Sequence, residues 1–164
     1  MTHVKETGEF MSQHSREEGS GLNPALEPFS IMIGNWNTTG THGLFPDTVL
    51  HGHVSIEWLE DGAFLLMRSE VDDLRFPSTT AIIGSDDAEA KCYMLTFDVR
   101  GVSRMYEVSL HNNVWKWWRD APGFRQRYEG IIGDDGNTIT TGGELSRDGS
   151  TWEKDLALTY KRAE

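Results

Sequence analysis

The stretch Arg104–Arg119, RMYEVSLHNNVWKWWR, decides the fold. Alternating residues stand on both sides of a His-Asn-Asn turn, which is the pattern of a β-hairpin. A two-residue turn at His111–Asn112 pairs Leu110 with Asn113, Val108 with Trp115, Tyr106 with Trp117 and Arg104 with Arg119. The opposite face pairs Glu107 with Lys116, an opposite-charge contact suited to water. The remaining face then carries Tyr106, Trp115 and Trp117 together with two arginines. Arginines turned inward beside aromatic rings need an anionic partner, because an unpaired buried charge is expensive. That partner is either a carboxylate of this chain or one that belongs to a ligand.

The same arithmetic extends to the neighbouring strands. Across Asp120–Gly123, Arg119 meets Phe124, Trp117 meets Gln126 and Trp115 meets Tyr128. Across Asp98–Gly101, Phe97 meets Val102, Leu95 meets Arg104 and Tyr93 meets Tyr106. The expected inner face is therefore Tyr93, Leu95, Phe97, Arg104, Tyr106, Trp115, Trp117, Arg119, Phe124, Gln126 and Tyr128, continued by Ile139, Thr141, Leu156 and Leu158. Aromatic walls with a few polar groups are the composition of a small-molecule cavity. The competing expectation is a barrel filled by its own side chains.

Turn signals recur along the whole C-terminal part, among them Phe45-Pro46-Asp47, Glu60-Asp61-Gly62, Asp134-Asp135-Gly136 and Arg147-Asp148-Gly149. They divide it into ten strands, near 35–43, 48–59, 63–72, 78–84, 90–98, 102–110, 113–120, 124–133, 137–146 and 151–161. Ahead of them, Asn23-Pro24 with Glu27 marks a short helix over Pro24–Ile33, ended by Gly34. No second helix covers a sheet face, so the strands should close on themselves. The expected fold is all-β: a ten-stranded antiparallel up-and-down β-barrel with a short N-terminal helix plugging one end. The turns after the odd-numbered strands then share the open end, with Arg104 and Arg119 just inside its rim.

A chain of 164 residues supports one barrel domain, read here as 23–164 behind a flexible polar tail over 1–22. The net charge of −11 argues against nucleic acid and against an anionic membrane surface. The lone Cys92 cannot form an internal disulfide, no apolar run approaches the ~20 residues of a membrane span, and the N-terminus lacks a signal-peptide core. The cytoplasm is the expected location.

Gly34-Asn35-Trp36, directly after the helix, resembles the Gly-x-Trp start of lipocalins and related calycins. FDVRGVSRMYEVSL, VWKWWRDAPGFRQRYEG and DGSTWEKDLALTYKR resemble a bacterial family of uncharacterised lipocalin-like barrels, similar at a distance to nitrobindin-type ten-stranded barrels. The resemblance covers residues 24–162 and implies a ligand cavity, with Trp36 part of it, but no established activity. In nitrobindins a histidine on a late strand holds haem. TWEKDLALTYKR contains no histidine, so no haem and no other cofactor is expected. Arg104-Met105-Tyr106 also resembles the Arg-x-Tyr arrangement that holds a carboxylate in intracellular fatty-acid-binding barrels, on a different strand.

The leading expectation is a site for a small apolar ligand with an acidic group. Arg104 and Arg119 would hold the acid with help from the Tyr106 hydroxyl. Trp36, Trp115, Trp117, Phe124 and Tyr128 would line the apolar part, and Gln126 would add a hydrogen bond. The internal alternative pairs the arginines with Glu70, Asp98 or Asp120. An enzyme of isomerase or hydrolase type, with His53 or Glu70 as base, is the first functional alternative, and a protein-interaction barrel with a filled core is the second. A metal site from His42, His51 and His53 with Glu57 or Glu70 is opposed by the alternation of Leu50, Val54 and Ile56, which sends His51 and His53 to solvent, so none is expected. Cys92 alternates opposite to Tyr93 and is expected to point outward. Trp118 beside Arg125 suits a stacked pair or a homodimer contact.

Overall fold

The structure is a computed structural model that describes residues 21–164. The tail expected over 1–22 falls outside the described residues but for its last two. A 3₁₀ helix, Pro24–Met32, leads into ten strands: β1 Gly34–His42, β2 Phe45–Leu59, β3 Phe64–Val71, β4 Thr79–Asp86, β5 Lys91–Asp98, β6 Ser103–His111, β7 Val114–Ala121, β8 Phe124–Ile132, β9 Thr138–Ser146 and β10 Glu153–Arg162. Each strand pairs antiparallel with the next, and β10 closes onto β1. The sheet has no free edge, which removes the unpaired ladder groups that would template aggregation.

The helix is 3₁₀ because Pro28 stands inside it and supplies no N–H for an α-type bond. Its three-residue repeat puts Leu26, Phe29 and Met32 on one buried face. They seal one end of the barrel against Trp36, Val54, Ile56, Leu65, Ile83, Ile139 and Tyr160. Asn23 anchors the entrance: its side chain accepts from the Ala25 amide at 3.1 Å and donates to the Ala63 carbonyl at 3.2 Å. The Trp36 indole donates to the Met32 carbonyl at 2.8 Å, and Arg162 lies 4.2 Å over its ring. The expected plug is therefore present at the expected end.

Three turns depart from the expected register, with different consequences. The β6–β7 turn is Asn112–Asn113, with φ of 50° and 60°, because a two-residue turn of this hand needs left-handed residues and asparagine tolerates that region. Leu110 therefore pairs with Trp115 and Val108 with Trp117. The β7–β8 pairing shifts alike, so Trp117 faces Tyr128 and Arg119 faces Gln126. A slip of two residues preserves every face.

The β5–β6 turn is different. Asp98 accepts from Gly101, Asp98 and Val102 pair, and Gly101 sits at φ 80°, making a three-residue loop. The register moves by one residue, so Met94 opposes Tyr106 and Thr96 opposes Arg104. This turns the whole strand over: Tyr93, Leu95 and Phe97, expected inside, face outward, while Cys92, Met94 and Thr96 face inward. Cys92 packs beneath the helix with its thiol toward the Ala25 carbonyl, and burial pushes that thiol up.

Several outer-face pairs also change. Glu107 pairs with Lys91 at 3.3 Å and Lys116 with Glu129 at 3.2 Å, in place of each other. Arg125 is drawn to Asp120 at 2.6 Å and is not stacked on Trp118.

Candidate ligand-binding site

The turns after β1, β3, β5, β7 and β9 ring a cavity of about 460 Å³ that enters the barrel from the unplugged end. That volume lies within the range of about 300–1,000 Å³ typical of small-molecule sites. Of the residues expected to bind ligand, Arg104, Tyr106, Trp115, Trp117, Phe124, Gln126 and Tyr128 line it. Trp36 does not: it is fully buried at the plugged end. Arg119 faces inward beside Gln126 but does not reach the cavity lining, its guanidinium 5.9 Å from the Tyr106 ring.

A residue outside the sequence expectation organises the polar side of the wall. β10 carries a bulge between Lys154 and Ala157, where its pairing with β9 shifts by one residue. A bulge adds one residue to one strand and re-aims the side chains there. Here it turns Asp155 inward, although alternation from Leu156 and Leu158 places it outside. The Asp155 carboxylate is nearly fully buried and accepts from Gln126 Nε2 at 2.9 Å and Tyr128 Oη at 2.6 Å. Its other oxygen faces His42 Nε2 at 2.8 Å. The Leu44 amide donates to His42 Nδ1 at 3.0 Å, which assigns the imidazole proton to Nε2 and hence to Asp155.

The network continues through Gln126. Its amide nitrogen also donates to Tyr128 Oη at 2.8 Å, and its oxygen accepts from the Tyr106 hydroxyl at 2.7 Å. Both Gln126 protons and its carbonyl are committed, so it braces the wall in place of adding a bond to a ligand. The Tyr106 proton is committed in the same way, and its free lone pairs face the two arginines. Burial pushes the Tyr106 hydroxyl up, against the opposing pull of Arg104 and Arg119. Burial, reinforced by the Asp155 carboxylate, holds the Tyr128 phenol far above its ordinary range. These phenols stay protonated and act as fixed hydrogen-bonding groups.

The apolar side is an aromatic stack. Trp117 and Tyr128 lie with ring centroids 4.8 Å apart and planes 3° from parallel, and Trp115 sits 4.1 Å from Trp117. The outer face of Tyr128 rests on Gly143, where an added Cβ would lie 2.1 Å from the ring.

Arg104 meets the Tyr106 hydroxyl but no carboxylate. Its guanidinium lies 4.6 Å over the Phe124 ring. Among the described residues, no ion pair uses Arg104 or Arg119. Their expected internal partners are engaged or distant: Asp98 holds Arg100 at 2.7 Å, Asp120 holds Arg125, and Glu70 is exposed. Two buried side-chain nitrogens among the described residues lack any partner, Trp115 Nε1 and Arg119 Nε.

The residues considered for a metal site do not come together. His51 and His53 are exposed, Glu57 is bound to Arg68 at 2.8 Å, and no metal-binding cluster exists among the described residues. His53 and Glu70, the expected bases of an enzymatic reading, both face solvent. No helix among the described residues is long and apolar enough to cross a membrane.

Solved structures share this architecture. The crystal structure of Rv2717c from M. tuberculosis superposes with a TM-score of 0.61 at 14% identity, covering 88% of this chain and 100% of that one. The fold is that of a calycin-like barrel. The S-type phycobiliprotein lyase CPES from Guillardia theta superposes with a TM-score of 0.52 at 10% identity, covering 83% of this chain and 90% of that one. No protein-family model matches the sequence, and a search of curated proteins finds no match. At these identities the likeness extends to the calycin-like barrel and not to its chemistry.

Proposed function

We propose that this barrel binds a small, largely apolar acid, with its acidic group on Arg104 at the open end. The observation that carries the reading is the unpaired Arg104 guanidinium on the wall of an open, aromatic-lined cavity. Arg119 supports it from beside Tyr106 by adding positive charge to the interior. Trp117, Tyr128 and Phe124 contact the apolar body, while Gln126 and Asp155 hold the ring positions. A calycin-like barrel of this shape serves as a phycobiliprotein lyase in Guillardia theta, which is compatible with an accessible interior.

Binding is favoured over turnover because His42 and Asp155, the groups suited to proton transfer, already have each nitrogen and both carboxylate oxygens engaged. Haem has no place in the reading for the same reason. His42 is the one histidine on the cavity wall among the described residues, and neither ring nitrogen is free to act as an axial ligand.

The test is a thermal-shift screen of apolar acids against the wild-type protein, Arg104→Met and Arg119→Met. Acids should raise the wild-type transition, fail with Arg104→Met, and act more weakly with Arg119→Met. Equal responses from all three proteins contradict the proposal.

A further inference from the structure

We infer that the site selects a single negative charge carried on a flat, unsaturated body: its ligand class is the monoanionic aromatic or conjugated acid. This rests on the acid-binding reading above and adds to it a charge count and a shape.

The charge count follows from which groups are already neutralised. Around the rim, Arg75 is closed by Asp73 at 2.5 Å, Arg100 by Asp98 at 2.7 Å and Arg147 by Glu153 at 2.7 Å. Lys154 is exposed and screened by solvent. Both His42 nitrogens are occupied, Nδ1 by the Leu44 amide and Nε2 by Asp155. Inside remain Arg104, Arg119 and Asp155. Two positive charges against one negative leave one positive charge unopposed, in a wall where desolvation makes any imbalance costly. A monoanion cancels it. A dianion replaces an excess positive charge with an excess negative one, and a neutral ligand leaves Arg104 unpaired.

The shape follows from the aromatic stack. The ring faces of Trp117 and Tyr128 are spent on each other, on Trp115 and on Gly143. Trp117 and Tyr128 therefore turn ring edges toward the cavity. Edges are the electropositive part of an aromatic ring and prefer the electron-rich face of another π system. A planar unsaturated body offers that face, and a saturated chain does not.

Tryptophan-fluorescence titration at neutral pH with four probes tests both parts: naphthoate, naphthalenedicarboxylate, uncharged naphthamide and saturated decanoate. Naphthoate should bind at least about tenfold more tightly than each of the others, a preference of about 1.4 kcal/mol. Asp155→Asn removes the interior negative charge, and should bring the dicarboxylate to within about threefold of naphthoate. A wild-type dicarboxylate affinity equal to or above that of naphthoate overturns the charge count while the acid-binding reading stands. Decanoate binding as tightly as naphthoate overturns the flat body alone. Naphthamide matching naphthoate, or no binding by either acid, overturns the acid-binding reading as well. Should Asp155→Asn fail to fold, the wild-type series still decides each point.

Discussion

Arg162 and Arg104 stand at opposite ends of one barrel, each with its guanidinium over an aromatic ring, 4.2 Å from Trp36 and 4.6 Å from Phe124. Their remaining surroundings differ. Arg162 donates to the carbonyls of Ile33 at 2.6 Å, Ile31 at 2.8 Å and Gly136 at 2.8 Å, tying the helix to the closed end. Arg104 has no carbonyl or carboxylate acceptor from the described residues. The same side chain on the same kind of ring is thus a structural clamp where backbone acceptors meet it, and an open binding group where none do. Residue type and ring partner do not separate the two roles; the count of satisfied donors does.

The largest expected effect comes from breaking the clamp. Arg162→Met strands three carbonyls that now receive charged hydrogen bonds, and should cost about 3 kcal/mol, read as a lower urea midpoint. The folded variant should still bind acids, because the open end is untouched. Gly143→Ala comes next. Its Cβ collides with Tyr128, displacing the ring that Trp117 and Asp155 hold. The expected loss is about 1–3 kcal/mol of stability, together with weaker ligand binding in the same titration.

Arg104→Met reverses the pattern of Arg162→Met. Removing a half-buried charge that has no ion pair should leave stability unchanged or raise it by up to about 1 kcal/mol, while acid binding falls at least about tenfold. A fall in stability comparable to that of Arg162→Met would erase the distinction between the two ends.

The smallest effect is a pH limb at the rim. The Arg100 guanidinium, helped by the turn amides of Arg100 and Val102, lowers the Asp98 carboxyl from 3.8 to about 2. Stability from this lowered group is complete above its ordinary value and is lost as the pH falls through about 2. Asp98→Asn should lower the melting temperature slightly near neutrality and flatten its acid limb, so that variant and wild type converge as the pH falls to about 2.

How far the sequence alone reaches is clearest strand by strand. The hairpin around Asn112–Asn113 was readable to within two residues, and a two-residue slip keeps faces, so Tyr106, Trp115, Trp117, Gln126 and Tyr128 were all placed inside. β5 was not readable, because a three-residue loop and a four-residue loop after Asp98 differ by one residue, and one residue exchanges Tyr93, Leu95 and Phe97 for Cys92, Met94 and Thr96. Asp155 was hidden more deeply, since a bulge in β10 depends on the geometry of its neighbours. One signal was available: Asp155 is the charged residue that interrupts the apolar Leu156–Tyr160 alternation at its start, and it has no outer-face partner. His42 joins the site only through that carboxylate. The pairing state of Arg104 needed the whole set of acidic residues to be located, which no local pattern supplies.

The most direct measurement is a crystal structure of the protein with naphthoate in the barrel. The account predicts a carboxylate oxygen within about 3 Å of the Arg104 guanidinium nitrogens, with the ring against the edges of Trp117 and Tyr128. A naphthoate whose carboxylate points to solvent, or an Arg104 that has turned to an Asp or Glu of its own chain, would contradict it.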